Sequence, residues 1–111
     1  GVEVSSTSKT ILEVSYFTPQ QISLSKNYPN PFNPSTTIDY QLSKAGAVSL
    51  VVYDLKGSEV KTLLNEHQDA TYYNVVWNGL NNNGQSVASG RYLLKMIAPG
   101  YSETITMTLL K

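Results

Sequence analysis

The 111-residue sequence contains no cysteine and only one histidine, His67. Without thiols, a disulfide scaffold and a thiolate metal site are both excluded. Charge is sparse too: eight Lys and Arg balance eight Asp and Glu, for a net charge of zero. Phosphate binding needs a basic surface, so nucleic acid is not an expected partner. No apolar run reaches the roughly 18 residues of a spanning helix, and no basic amphipathic stretch suggests docking on lipid, so direct membrane insertion is not expected. No signal peptide is visible and the chain begins at Gly1. It is therefore read as a piece of a longer protein, with any export signal upstream. Its length fits one domain with a modest core.

The motifs of common chemistries are missing as well. There is no GxSxG elbow, no Walker loop and no GxGxxG. His67 stands beside Glu66 and Asp69 in a predicted loop, His67–Thr71, and is read as a solvated side chain; no nucleophile is arranged around it. The acids are scattered. Strand pairing could make neighbours of Asp39 and Asp54, yet surface or turn roles suit them better than a glycosidase dyad. The loop Asn78–Gly84 has an oxygen-rich spacing, yet its candidates are neutral asparagines, which shape loops more readily than they hold calcium. Lys95 is the one strand lysine that a Lys–Asn crosslink would call on, and its parity partners are Leu93 and Ile97. The reading is a non-enzyme with no metal and no cofactor.

What the sequence does have is β-pattern. Eight tyrosines, one tryptophan and many Val, Ile and Thr favour strands. Ile22 and Leu24 alternate with serines. Ile38, Tyr40 and Leu42 share one face, opposite Thr37, Asp39 and Gln41. Val48, Leu50 and Val52 form another apolar face, with Val51 and Tyr53 making the reverse side partly apolar, as in a central strand. Asp54–Gly57 is a hairpin turn and Val60–Leu64 a short strand. Tyr73, Val75 and Trp77 alternate, as do Tyr92, Leu94 and Met96, and then Ile105, Met107 and Leu109. About seven strands with short connections predict an all-β, immunoglobulin-like antiparallel β-sandwich. Its expected core is Leu24, Ile38, Tyr40, Leu50, Val52, Val75, Trp77, Tyr92, Leu94 and Met107. Gly57, Gly79, Gly84 and Gly90 are expected at turns or strand starts. Residues 1–21 read as a linker, or an extra strand at Ile11–Phe17, leaving 22–111 as the domain. Tyr72 and Tyr73 fall on opposite faces, so one of them faces solvent. A sugar-stacking platform, and with it an accessory carbohydrate-binding module of a secreted polysaccharide-degrading enzyme, is the alternative reading.

The most distinctive stretch is Asn27–Ile38, NYPNPFNPSTTI. Asn27, Pro29, Asn30, Pro31, Phe32, Asn33 and Pro34 crowd prolines and asparagines just ahead of a strand. Pro29, Pro31 and Pro34 forbid helix and exclude a central strand, while Asn30 and Asn33 can close local turns. Alone, this is a stiff, shaped loop. With VVYDLKG (Val51–Gly57), the series around Trp77, Gly79, Gly84, Gly90 and Tyr92, and the terminal MTLLK, it resembles the type A C-terminal sorting domain of type IX secretion cargo. The resemblance runs from about Pro19 to Lys111. The immunoglobulin-like domain of the flagellar hook-capping protein is related in fold and shares the W-x-G and G-x-Y style, but not as a rule the proline block.

The resemblance implies an address rather than a catalyst. Such a domain follows a cargo domain in the same chain and crosses from the periplasm of a Gram-negative bacterium to the cell surface or medium. Its implied partners are the outer-membrane type IX translocon and a sortase-like protease. Gly90 and Tyr92 match the family's G-x-Y motif; Met107, Leu109 and Lys111 match its closing strand and lysine. These five are the implied sorting signal. A terminal strand that frays and pairs with a partner's sheet edge is the expected mechanism, with Thr108–Lys111 removable without unfolding the sandwich.

Overall fold

A computed structural model describes residues 18–111; the expected strand Ile11–Phe17 lies outside the described residues. The described chain forms seven strands: β1 (Ser23–Leu24), β2 (Thr36–Gln41), β3 (Gly46–Asp54), β4 (Glu59–Gln68), β5 (Tyr72–Trp77), β6 (Gly90–Ala98) and β7 (Tyr101–Leu109). They make two sheets, ordered β1-β2-β5 and β4-β3-β6-β7. Every strand pairing is antiparallel. The fold is the all-β, immunoglobulin-like sandwich that the strand pattern predicts.

Period two does the sorting of faces. Ile38 and Tyr40 on β2, Val48, Leu50 and Val52 on β3, Tyr92, Leu94 and Met96 on β6, and Met107 and Leu109 on β7 are all buried between the sheets. Trp77 is fully buried among them and donates its indole N–H to the carbonyl of Leu80 at 2.9 Å. Strand β3 pairs with both β4 and β6, which explains why its outward residues Val51 and Tyr53 are themselves half-buried. At the β3–β4 turn, Asp54 Oδ1 accepts from the amides of Lys56 and Ser58, both at 2.9 Å.

Several expectations are corrected. Leu24 and Val75 are half-buried rather than central, because β1 and β5 are the two edges of the smaller sheet. Leu42, Val48, Met96, Leu109 and Phe32 are buried in their place. His67 is not in a loop: β4 runs to Gln68, and His67 pairs with Ala47 on an exposed stretch of strand. The β3 backbone supplies a full ladder there, so polar side chains do not end the strand. Asp39 and Asp54 lie in different sheets and form no pair. Lys95 sits between Val51 and Thr104, on the face opposite Leu94 and Met96, so it is no buried crosslink donor. Tyr72 and Tyr73, by contrast, fall on opposite faces as their parity predicts. Tyr72 is 58% exposed, whereas Tyr73 stacks on Tyr40 with centroids 5.2 Å apart.

Candidate functional site

The residues singled out by sequence converge on one end of the sandwich. The proline block reaches that end because its first residues are fixed. The Asn27 amide is buried; its Nδ2 donates to Thr36 Oγ1 at 3.0 Å, and that hydroxyl donates on to the Pro29 carbonyl at 2.9 Å. Tyr28 and Thr37 exchange backbone hydrogen bonds at 2.9 and 2.8 Å. Strand β2 therefore begins already tied to the block that precedes it.

Beyond Tyr28 the block leaves the smaller sheet and meets the larger one. The Phe32 amide donates to the Thr108 carbonyl at 2.9 Å, and the Leu110 amide donates to the Phe32 carbonyl at 3.0 Å. Phe32 and Leu109 thus form a parallel bridge at the outer edge of β7. Asn30 adds a third contact, its Oδ1 accepting from the Thr108 amide at 3.0 Å. Prolines suit this place, since an edge partner needs few donors of its own. The Phe32 side chain is 2% exposed and fills the mouth of the core. Its ring lies 5.6 Å from that of Trp77, and Trp77 in turn meets Tyr92 edge-on at 5.2 Å. Three aromatics from the block, β5 and β6 thereby join the two sheets.

The loop after β5 closes the same end. Gly79 is buried with φ 75°, and a Cβ there would stand 3.3 Å from the Pro34 carbonyl and 3.6 Å from Leu109 Cδ2. The positive φ favours glycine, and a Cβ would in addition press on the Pro34 carbonyl. Asn81 shapes the next turn, its Oδ1 accepting from the amides of Asn83 and Gln85 at 2.9 and 3.0 Å. This is the loop-shaping role read from the asparagines. Among the described residues, no group of three or more His, Cys, Asp or Glu is placed to hold a metal.

The five implied signal residues are neighbours. Gly90 pairs with Leu109 and Tyr92 with Met107 across β6 and β7. Tyr92 donates to the Ala88 carbonyl at 2.6 Å. Lys111 docks on the same turn, its amide on Ser89 Oγ at 3.0 Å and its Nζ on Ser86 Oγ at 2.6 Å. Burial pushes the Tyr92 hydroxyl pKa up, with the Asp54 charge adding to the shift. Of the signal residues, Tyr92, Met107 and Leu109 are core, Gly90 is half-buried and Lys111 is exposed. Leu109 is wholly buried, and Thr108 and Leu110 hold the proline block, which argues against the expectation that the sandwich stays largely folded without Thr108–Lys111.

Sequence reading missed Thr36, Ser86 and Ser89. Thr36 was legible, because the buried alternation of Ile38 and Tyr40 extends back to it. The serines carry no such signal. Also missed was Asn82, whose Oδ1 accepts from the Thr62 amide at 3.0 Å and whose backbone N–H donates to the Val60 carbonyl at 2.9 Å, covering part of the β4 edge.

Comparison with known proteins places this architecture. Residues 32–100 match the family model of the FlgD Ig-like domain. No curated protein matches the chain. Among solved structures, dimeric latent PorU from Porphyromonas gingivalis is similar at TM-score 0.63 and 18% identity, over 81% of this chain and 9% of that one. PorZ, an essential surface component of the type-IX secretion system of the same organism, aligns at TM-score 0.53 and 22% identity, over 83% of this chain and 12% of its own. FlgD from Xanthomonas campestris, a hook-capping protein essential for flagellar assembly, aligns at TM-score 0.55 and 20% identity, over 88% of this chain and 74% of its own. At these identities the likeness is one of fold. The family match covers most of the sandwich, from the Phe32 plug to the β6–β7 turn, and the chain belongs to the FlgD Ig-like domain family.

Proposed function

We propose that this domain is a non-catalytic C-terminal sorting and anchoring domain. In this reading it directs a larger exported protein through the type IX secretion system to the cell surface or medium. The observation that carries the reading is the joining of the proline block to the last strand. Phe32 and Asn30 pair with Thr108 and Leu110, so the two most distinctive parts of the sequence form one surface. The fold likeness to PorZ, itself a component of that system, supports the association. The partners on this reading are the outer-membrane translocon and a sortase-like protease, met after passage through the periplasm. Residues 1–21 remain the proposed connection to the cargo; within them, Pro19 is buried and the Gln21 carbonyl accepts from Gln41 Nε2 at 2.8 Å.

The test fuses the 111-residue chain behind a fluorescent reporter with a periplasmic signal peptide, in hosts with and without a working type IX system. Reporter at the surface or in the medium only when the system works is the expected result. Reporter held in the periplasm of both strains, while an established cargo tail is exported, would overturn it. The family match favours a second reading, an assembly role in a flagellar-type structure. That reading predicts the same retention, together with binding to filament subunits.

A further inference from the structure

The outer face of the smaller sheet carries a feature that sorting does not use. A cleft of about 570 Å³ lies over it, lined by Ser25, Asp39, Gln41, Tyr72 and Asn74, with Tyr40 and Tyr73 below. Strand register explains the grouping: Asp39 pairs with Asn74, and Gln41 with Tyr72, so these four side chains project on one side. Tyr72 is 58% exposed, an aromatic ring left in water at the end of a row of polar groups. Asp39 is held in place, its two carboxylate oxygens accepting from the Tyr28 hydroxyl at 3.2 and 3.0 Å. The Gln41 amide is oriented by its bond to the Gln21 carbonyl, and among the described residues no bond is made to its own oxygen. The Asn74 amide and the Ser25 hydroxyl bring both donors and acceptors.

From this grouping we propose that the cleft binds a neutral oligosaccharide. A sugar ring presents a flat C–H face and a rim of hydroxyls that both donate and accept. An exposed aromatic face beside fixed amide, carboxylate and hydroxyl groups complements both features. The lining contains no Lys or Arg, and its one charge is a carboxylate, which disfavours anionic sugars. Tyr28 bridges to Thr37 on one side of β2, and Tyr72 pairs with Gln41, four residues further along, on the other, so the backbones of the two exposed tyrosines stand about 16 Å apart. That spacing suits a short oligosaccharide held mainly at Tyr72, rather than a long chain lying on a row of rings. The site lies on the outer face of the smaller sheet, not at the Phe32–Leu109 bridge, and is independent of the sorting reading.

The test is affinity gel electrophoresis of the whole chain through a panel of soluble neutral polysaccharides (xylan, β-glucan, galactomannan, starch). Retardation by at least one is expected. Tyr72→Ala should weaken it by about tenfold, the order expected for losing an aromatic stacking contact. Tyr72→Phe should keep it, Asn74→Ala should lose part of it, and Gln85→Ala, in the loop after β5, should leave it unchanged. Melting curves confirm that each variant is folded, and Asn74→Ala carries the test if Tyr72→Ala is not. No retardation by any neutral polysaccharide, retardation unaltered in Tyr72→Ala, or retardation by polygalacturonate alone would each overturn the proposal.

Discussion

Replacing Phe32 with alanine asks whether the proline block is part of the fold or merely lies against it. Phe32 is 2% exposed, and its ring sits 5.6 Å from Trp77, at the junction of both sheets and β7. Truncating a buried phenylalanine costs about 3–5 kcal/mol, as transfer free energy plus the cavity left behind. A domain of this size holds only about 5–15 kcal/mol in total. Each kcal/mol lowers the melting temperature by about 4–8 °C at this length, so Phe32→Ala should melt at least about 12 °C lower. Phe32→Leu keeps an apolar plug and should fall between the two. Trp77 is the only tryptophan and touches Phe32, so urea unfolding followed by its fluorescence reads the same place. The midpoint should drop with the slope unchanged, the mark of lost stability rather than altered compactness. A melting temperature within about 4 °C of the parent would refute the reasoning, since a ring removable at that cost is not filling the core.

Three other perturbations follow from the same geometry. Gly79→Ala and Gly84→Ala share a positive φ, 75° and 78°, but only Gly79 has atoms against its would-be Cβ. Chemical denaturation should show about 1–2 kcal/mol for Gly84→Ala, from conformation alone, and clearly more for Gly79→Ala; equal costs would deny the contact with Pro34 and Leu109. Deleting Thr108–Lys111 removes the buried Leu109 and the partners of Phe32, so circular dichroism should show no cooperative melt near the parent's. Lys111→Ala, losing only an exposed contact, should stay within about 0.5 kcal/mol. Burial raises the hydroxyl pKa of Tyr40, Tyr92 and Tyr101 in the folded state. A raised folded pKa means stability that is complete below the unfolded tyrosine value of about 10 and is lost as pH climbs through the folded values. Melting temperature should therefore hold to about pH 9 and fall above about pH 10, less steeply in Tyr40→Phe; a flat profile to about pH 11.5 would contradict it.

Alternation made most of the sandwich legible, because burying one face of a strand imposes period two directly on sequence. Ile38 and Tyr40, or Leu94 and Met96, could hardly be read otherwise. What failed was decided by partners rather than by the residues themselves. His67 looked like loop because its neighbours are polar, yet β3 supplies it with a ladder. Val75 has the same pattern as Ile38 but stands on an edge. Phe32 was noticed as motif and not as core, since a side chain in a proline-rich loop carries no periodicity to show which way it points. The serines at 86 and 89 hold Lys111 by contacts more than 20 residues apart in sequence, which no local pattern encodes.

Strand edges decide how the last strand can be used. On β7, Thr108 turns its amide and carbonyl outward, and both are taken, by Asn30 and Phe32. Antiparallel pairing alternates, so Ser102, Thr104 and Thr106 turn theirs outward as well, and among the described residues no backbone bond is made to them from that side. The strand is closed at its C-terminal end and open upstream. A partner that adds a strand at Ser102–Thr106 disturbs no core side chain, because the residues there are exposed or half-buried. One that takes the edge at Thr108–Leu110 must first displace Phe32, at a cost of the order worked out for its removal. Fraying from the C-terminus, the simplest picture of a terminal signal, is thus opposed by the very block that makes this sequence distinctive. On the sorting function proposed above, the exposed backbone of β7 at Ser102–Thr106 is the edge a translocon would read from the intact fold.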